Sequence, residues 1–131
     1  MGLAAPVRLG LLSTARINGA ILDGARETAS VDVVAVASRD GAKAQAYAAE
    51  RGLERSHGSY EALLEDEGVN AVYISLPNAL HHEWTLRALG AGKHVLCEIP
   101  LATSLAATDR LIALAAAADR RLMVCHTQRY H

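Results

Sequence analysis

Two short apolar segments, separated by one helical segment, constrain the fold of this chain more than any other feature of its sequence. Asn70–Ile74 is apolar with β-branched and aromatic members, which predicts a buried strand, and Lys93–Cys97 predicts a second one. Between them, Ala79–Ala91 carries its apolar residues at helical spacing. The segment is therefore predicted to form a strand–helix–strand unit, in which the helix crosses over between two parallel strands.

Proline, asparagine and glycine residues mark the boundaries of this unit. Pro77 has no amide hydrogen to donate to a sheet, so it ends the first strand, and Asn78 is a suitable N-cap for the helix. Gly90 and Gly92 end the helix. Open α/β sheets bind ligands just outside the carboxyl ends of their parallel strands. The residues predicted to lie there are Leu76, Pro77, Asn78, His81 and Glu98.

The same alternation of strand and helix runs along the rest of the chain, with connections of a few residues that are typical of right-handed crossovers. The fold class is therefore predicted to be α/β, a Rossmann-type doubly wound parallel sheet of about six strands with helices on both faces. Strands are expected at Val7–Leu12, Val31–Ala37, within Leu53–Gly58, at Asn70–Ile74, Lys93–Cys97 and Arg121–Cys125. The other helices are expected from the turn at 13–18 to about Glu27, over Gly41–Arg51 and Tyr60–Asp66, and from Ser104 to about Ala118, with Asp40, Ser59 and Ser104 as N-caps.

Composition limits the classes of partner. The chain has 131 residues, enough for one domain with its own core, and 51% of them are hydrophobic. The net charge is −1 and only 4% of residues are aromatic, so no nucleic-acid partner is expected. No apolar run approaches the ~20 residues that span a bilayer, and no signal peptide is recognisable. A cytoplasmic location is predicted, with Cys97 and Cys125 as reduced core thiols.

The turn after the first strand is the expected phosphate site in such a sheet. A dinucleotide fingerprint places glycines there for a tight turn, for close approach of the pyrophosphate and for helix packing. The corresponding residues here are Ser13, Ala15 and Asn18, so the fingerprint is poor and an ordinary strand–helix turn is the alternative. Backbone amides at a helix N-terminus nevertheless attract phosphate, whatever side chains surround them.

The end of the second strand bears on the choice between NAD and NADP. An acidic residue at this place binds the adenosine ribose and selects NAD. Ser38 and Arg39 stand there instead, and a guanidinium suits the 2′-phosphate of NADP because it makes forked, charge-assisted hydrogen bonds. NADP is therefore the predicted cofactor. NAD stays the alternative, since Asp40 could supply the acid and Arg39 could be a solvated turn residue.

Three spaced motifs carry a family resemblance. The chain reads Pro77-Asn78-Ala79-Leu80-His81, then Ala91-Gly92-Lys93-His94-Val95, then Glu98-Ile99-Pro100. These resemble the Pro-Asn-x-x-His, Ala-Gly-Lys-His-Val and Glu-Lys-Pro segments of the glucose–fructose oxidoreductase/inositol dehydrogenase (Gfo/Idh/MocA) family. The resemblance covers nearly the whole chain and implies that residues 1–131 are an NAD(P)-binding Rossmann domain, without the family's α+β substrate domain. It also implies hydride transfer between a nicotinamide and a sugar or polyol-like substrate.

The resemblance further implies roles for individual residues. Family members often read Gly-Thr-Ala at the first turn, so the pyrophosphate would bind there, and the nicotinamide ribose would lie along the segment after the fourth strand. The first-turn residues are Ser13, Thr14, Ala15, Arg16 and Ile17, and those of the later segment are Leu76, Pro77, Asn78 and His81, with Glu98 bonding the ribose.

Interpretations of His81 and Glu98 that give them no role in cofactor binding stay open. His81 would alternatively be a water-exposed residue at a helix start, and Glu98 a surface carboxylate. The adjacent His81 and His82 have the wrong spacing for a zinc pair on a helix, so no metal site is predicted. The Ile99–Pro100 peptide bond could be cis, as in the family.

One residue departs from the family pattern. Ile99 stands where the family has a lysine that helps to move the substrate proton. An isoleucine has no proton to transfer, and a positioned acid or base contributes about 10²–10⁴-fold in rate. The catalytic residue is therefore unknown, and His126 is the candidate substitute, with Arg129, Tyr130 and His131 beside it. The alternatives are a non-catalytic dinucleotide-binding sensor or partner-binding module that has lost the lysine, and a CoA-binding domain of the CoA-ligase type.

Overall fold

A single parallel sheet forms the centre of the computed structural model, which describes residues 6–98, 102 and 104–125. Within these residues the sheet has six strands: β1 (Val7–Leu12), β2 (Val31–Ala37), β3 (Arg55–His57), β4 (Ala71–Ile74), β5 (His94–Glu98) and β6 (Leu122–Cys125). Their spatial order is β3-β2-β1-β4-β5-β6, and every neighbouring pair is parallel. The predicted doubly wound fold is confirmed, and its topological switch point lies between β1 and β4.

Helices cover both faces of the sheet because side chains alternate in direction along each strand. The helices are α1 (Asn18–Arg26), α2 (Gly41–Arg51), α3 (Tyr60–Leu64), α4 (His81–Gly90) and α5 (Leu105–Ala117). Leu11 and Tyr73 face a core that contains residues of α1 and α2. Their neighbours Leu12 and Ile74 face a second core, built with residues of α3, α4 and α5. Because both faces of the sheet are covered at its centre, the central strand β4 is a continuous run of buried apolar residues.

Most of the predicted boundaries hold, because they depend on local chemistry. Asp40, Ser59 and Ser104 each accept backbone N–H hydrogen bonds through their side chains and cap α2, α3 and α5 as predicted. Gly52 ends α2 in the left-handed conformation with φ of 70°, which glycine adopts without a steric penalty.

Two predictions about helix ends are wrong. The Asn78 side chain does not cap a helix, since Asn78–Leu80 forms a short 3-10 turn, closed by a hydrogen bond from the Leu80 amide to the Pro77 carbonyl, and α4 starts only at His81. The third helix ends at Leu64 rather than Asp66. The Asp66 side chain is engaged elsewhere, with donors from β3 and from the Gly68 amide.

A charged group of residues holds together the connections beside the amino ends of β4 and β5. We call Arg55, His57, Asp66 and Lys93 the Asp66 cluster. Oδ2 of Asp66 lies 2.8 Å from Nε of Arg55 and 3.0 Å from Nε2 of His57. The ammonium group of Lys93 donates to the carbonyl oxygens of Asp66 and Val69, at 2.9 and 2.6 Å. The lysine of the Ala-Gly-Lys-His-Val motif therefore ties the start of β5 to the backbone that precedes β4.

Candidate functional site

The first turn, between β1 and α1, is tight and contains a residue in an unusual conformation. Ser13 has φ of 129°, in the range that favours glycine. Its hydroxyl accepts a hydrogen bond from the Ala15 amide at 3.1 Å, and the Ala15 carbonyl accepts one from the Asn18 amide. The glycine of the usual fingerprint is thus replaced by a serine that takes the glycine conformation and stabilises the turn with its own side chain.

Three uncharged side chains tie this turn to the end of β4. We call Ser13, Asn18 and Ser75 the switch-point network. The Ser75 hydroxyl donates to Oδ1 of Asn18 at 2.8 Å, so the proton shared by the two hydroxyls, 2.7 Å apart, comes from Ser13. Nδ2 of the fully buried Asn18 donates to the Ser13 carbonyl at 2.9 Å. The network fixes the two central strand ends relative to each other.

The end of β2 is held by a second local set of hydrogen bonds. The hydroxyl of the buried Ser38 accepts from the Asp40 amide at 3.1 Å. Oδ1 of Asp40 accepts from the Ala42 and Lys43 amides at the start of α2, at 3.0 and 3.3 Å. Arg39, between them, is exposed to solvent. The turn therefore uses Ser38 and Asp40 for its own structure and leaves the arginine side chain in the solvent.

These strand ends border one groove of about 620 Å³. It brings together seven of the residues predicted from the sequence: Ser13, Thr14, Ala15, Ser38, Arg39, Leu76 and Pro77. Four further residues line it: Asp40, Lys43, Tyr60 and Ser75. Lys43 also borders an adjoining pocket of about 380 Å³ that includes Arg16. Lys43, Tyr60 and Ser75 are not among the residues predicted from the sequence. For Lys43 the available signal was its position in the first turn of α2, directly after the end of β2.

The remaining predicted residues lie outside the groove lining, as far as the structure describes the chain. Ile17 packs against the α1 side of the core, and Asn78 is exposed on the 3-10 turn. His81 is only 1% exposed, and its Nε2 lies 2.7 Å from the Leu76 carbonyl oxygen. A carbonyl only accepts, so Nε2 carries the proton. The water-exposed alternative for His81 is therefore wrong, and this residue holds the segment that contributes Leu76 and Pro77 to the groove.

Glu98, the last residue of β5, is also buried, with 3% of its surface exposed. The Tyr73 hydroxyl donates to its Oε2 at 2.6 Å. The alternative that Glu98 is a surface carboxylate is therefore wrong.

Comparison with known proteins identifies the family to which this chain belongs. The model of the oxidoreductase family with an NAD-binding Rossmann fold, Gfo/Idh/MocA, matches residues 10–126. The chain belongs to this family. The resemblance drawn from the three motifs is thus confirmed.

Several members of the Gfo/Idh/MocA family are similar over most of this chain. An uncharacterized oxidoreductase of Rhizobium meliloti is 43% identical over 95% of this chain and 38% of its own length. D-xylose 1-dehydrogenase (NADP(+)) 2 of Haloferax volcanii is 42% identical over 93% of this chain and 38% of its length. A 3-ketoreductase from Actinomadura kijaniata, solved in complex with NADP and TDP-benzene, superimposes with a TM-score of 0.87 at 39% identity, covering 96% of this chain and 39% of that one. The chain thus spans about two-fifths of the length of these relatives.

Some predictions for a Gfo/Idh/MocA domain fall outside the described residues. These are the position of Ile99, the Ile99–Pro100 bond, and His126, Arg129, Tyr130 and His131. Cys97 is buried in the core, as predicted. Among the residues that the structure describes, no group of three or more histidine, cysteine, aspartate or glutamate side chains could hold a metal ion. None of the helices in this part of the chain is both long and apolar enough to cross a membrane.

Proposed function

We propose that this chain is the NADP-binding domain of an oxidoreductase that transfers hydride between the nicotinamide and a sugar or polyol-like substrate. The observation that carries the proposal is the groove at the switch point, which joins the first turn, the end of β2 and the segment after β4. Ligands of open α/β sheets bind at this place. Residues 1–131 would form the nucleotide-binding domain, with the substrate domain outside this chain and a cytoplasmic location for the whole protein.

The lining of the groove fits the parts of a dinucleotide. The first turn presents backbone amides at the start of α1, which favours the pyrophosphate over Ser13–Ile17. The switch-point network holds this turn against β4, so the chain's own residues keep the binding surface in shape. NADP, when bound, supplies the hydride chemistry, and the protein orients the nicotinamide and excludes water.

Charges at the end of β2 favour NADP over NAD. The exposed Arg39 and Lys43 both border the groove, and two cations suit a 2′-phosphate. Asp40, which could have bound ribose hydroxyls instead, uses its Oδ1 to cap α2. The NADP named for the Haloferax volcanii dehydrogenase and present in the Actinomadura kijaniata complex supports the same choice.

Replacing Arg39 with alanine tests this proposal. We expect NADP binding to weaken by about 1.5–3 kcal/mol, the worth of a hydrogen bond to a charged group, with NAD binding nearly unchanged. Titration calorimetry with both cofactors measures the two affinities, and Arg26→Ala, at an exposed arginine paired with Asp23 on α1, is the matched control. Equal losses for the two cofactors would contradict a role in selecting NADP. No binding of either cofactor at millimolar concentration would reject the proposed function.

A second candidate function follows from Ile99. Because the family lysine is missing, the domain could bind the dinucleotide without catalysis, as a sensor or partner-binding module. In a protein that carries the substrate domain, Ile99→Lys is expected to raise sugar oxidation by up to about 10²-fold if the framework is catalytic. NADPH absorbance measures this rate. Wild-type activity equal to ordinary family enzymes would indicate that another group, such as His126, handles the proton, whereas no gain with the cofactor still bound would favour the non-catalytic module.

A further inference from the structure

The buried carboxylate at the end of β5 requires a specific partner. A carboxylate that leaves water loses its hydration, and its burial is tolerated only when donors replace the lost hydrogen bonds. Glu98 is 3% exposed, and the Tyr73 hydroxyl is a donor that reaches its Oε2. The contact therefore helps to fix where the Glu98 carboxylate lies.

The position of Tyr73 is itself set by the core. In the β4–β5 pair Tyr73 lies opposite Leu96, and since side chains alternate, Tyr73, Leu96 and Glu98 point to the same face. The diagonal neighbour on an adjacent strand is within reach of a long aromatic side chain. Tyr73 is fully buried in the cluster that also contains Leu11 and Val36. Its hydroxyl thus approaches the carboxylate from a rigid ring.

The location of Tyr73 and Glu98 relative to the groove indicates the role of their hydrogen bond. If Arg39 and Lys43 take the adenosine phosphate and the first turn takes the pyrophosphate, the rest of the dinucleotide must extend from β1 across β4 toward β5. Glu98 ends β5 on that side of the switch point. The carboxylate therefore stands on the nicotinamide side of a bound dinucleotide.

We propose that Tyr73 is a positioning residue for the cofactor, because it holds the Glu98 carboxylate in the orientation that contacts the nicotinamide riboside. This inference rests on the proposed function. A merely structural tyrosine would lower the stability of the fold and affect all ligands of the groove alike. A positioning tyrosine affects only those ligands that carry the nicotinamide riboside.

Tyr73→Phe separates the two roles, since it keeps the ring and removes the hydroxyl. Calorimetry would compare NADP with adenosine 2′,5′-bisphosphate, a fragment that ends before the nicotinamide half. We expect NADP to bind about tenfold more weakly and the fragment to bind as in the wild type. Leu22→Ala, at another residue of the same core cluster that borders neither the groove nor the adjoining pocket, is the control for lost stability and should leave both affinities unchanged.

Glu98→Gln adds a test that does not depend on how well Tyr73→Phe folds. If Tyr73 acts through Glu98, this variant also loses NADP affinity but not fragment affinity, and Tyr73→Phe adds no further loss in its background. Equal losses for NADP and the fragment, or NADP affinity that survives Glu98→Gln, would overturn the inference alone. A wild-type chain that binds neither ligand would instead reject the proposed function, and this inference with it.

Discussion

The Asp66 cluster and the switch-point network both join distant parts of the chain through side-chain hydrogen bonds, but they use different chemistry. The Asp66 cluster consists of charged or titratable side chains, with contacts of 2.6 to 3.0 Å. The switch-point network consists of two hydroxyls and one carboxamide, with contacts of 2.7 to 2.9 Å. The first lies beside the amino ends of β4 and β5, and the second at the carboxyl ends of β1 and β4.

This difference separates residues that stabilise the fold from residues that border the proposed site. In the Asp66 cluster the charges are directed at protein groups, and Lys93 gives its hydrogen bonds to backbone carbonyls. Ser13 and Ser75 of the switch-point network also line the groove, where an uncharged surface can accept an anionic ligand. Lys93 and Pro77 belong to neighbouring motifs. Lys93 supports the fold, whereas Pro77 borders the proposed site. A motif therefore identifies the family, but it does not assign a role to each residue in the motif.

The largest effect is expected from Asp66→Ala. Removing the carboxylate leaves Arg55, His57 and the Gly68 amide without this acceptor. Asp66 itself is only 10% exposed, and because hydrogen bonds to a charged group contribute about 1.5–3 kcal/mol, we expect a loss of about 3 kcal/mol of unfolding free energy. Urea denaturation measures this loss. The affinity of the folded variant for NADP should not change, because the cluster does not border the groove.

Glu61→Ala is the matched control for this variant. Glu61 pairs with Arg87 at 3.1 Å on the surface, and such exposed pairs contribute about 0–1 kcal/mol. If Asp66→Ala cost no more than Glu61→Ala, the Asp66 cluster would stabilise the fold no more than an exposed ion pair does, and the role given to it here would be wrong.

A second prediction concerns the pH dependence of stability. Burial alone raises the pKa of Asp66, but hydrogen bonds from Arg55, His57 and the Gly68 amide outweigh it and lower the pKa from 3.8 to about 2. The carboxylate therefore stabilises the fold fully above pH 3.8 and loses its contribution as the pH falls through 2. The difference corresponds to about 2 kcal/mol.

This contribution is measured by comparing the unfolding free energies of the wild type and Asp66→Asn from pH 6 to pH 2. The gap between the two proteins is expected to shrink as the medium becomes more acidic. A gap that stays constant over this range would show that the ionised form of Asp66 carries no stability.

Asn18→Asp tests the switch-point network. The substitution keeps one oxygen for the Ser75 hydroxyl but turns the second toward the Ser13 carbonyl, which needs a donor. We expect a loss of about 1–2 kcal/mol in unfolding free energy, together with weaker NADP binding, because a negative charge below the first turn repels a pyrophosphate.

Asn70→Asp is the control for this prediction, since Asn70 is exposed and uses Oδ1 to accept from the Arg8 amide at 2.8 Å. It should change neither quantity by much. Unaltered NADP affinity in folded Asn18→Asp would indicate that the network supports the fold only, like the Asp66 cluster.

The smallest effect is expected at Ser13, where backbone strain and hydrogen bonding oppose each other. Ser13→Ala loses the hydroxyl contacts with Ala15 and Ser75 but keeps a φ of 129° that a side chain disfavours. Ser13→Gly loses the same contacts and relieves the strain, so it should be more stable than the alanine variant by about 1 kcal/mol. Thermal unfolding measures the difference, and equal stabilities would argue against strain at this turn.

The alternation of strands and helices, the sheet and three of the N-caps were predictable from the sequence because each depends on local patterns. A two-residue or 3.6-residue period identifies an element, and Asp40, Ser59 and Ser104 cap through bonds to amides two or three residues away. The motifs at residues 77–81, 91–95 and 98–100 likewise identified the family. The mistaken Asn78 cap shows the limit of local patterns, because Pro77 and Leu80 close a 3-10 turn that competes with the cap.

Only the tertiary structure decided how the polar residues are used. Ser75 meets Asn18 across 57 residues, Lys93 meets Val69 across 24, and Tyr73 meets Glu98 across 25. Nothing in the neighbouring sequence of Glu98 or His81 indicates that either is buried, since burial depends on the strands and helices that pack over it. Parallel pairing brings these partners together because each crossover returns the chain to the same edge of the sheet. The sequence thus determines which elements form, and the packing of those elements determines which polar side chains stabilise the fold and which border the groove.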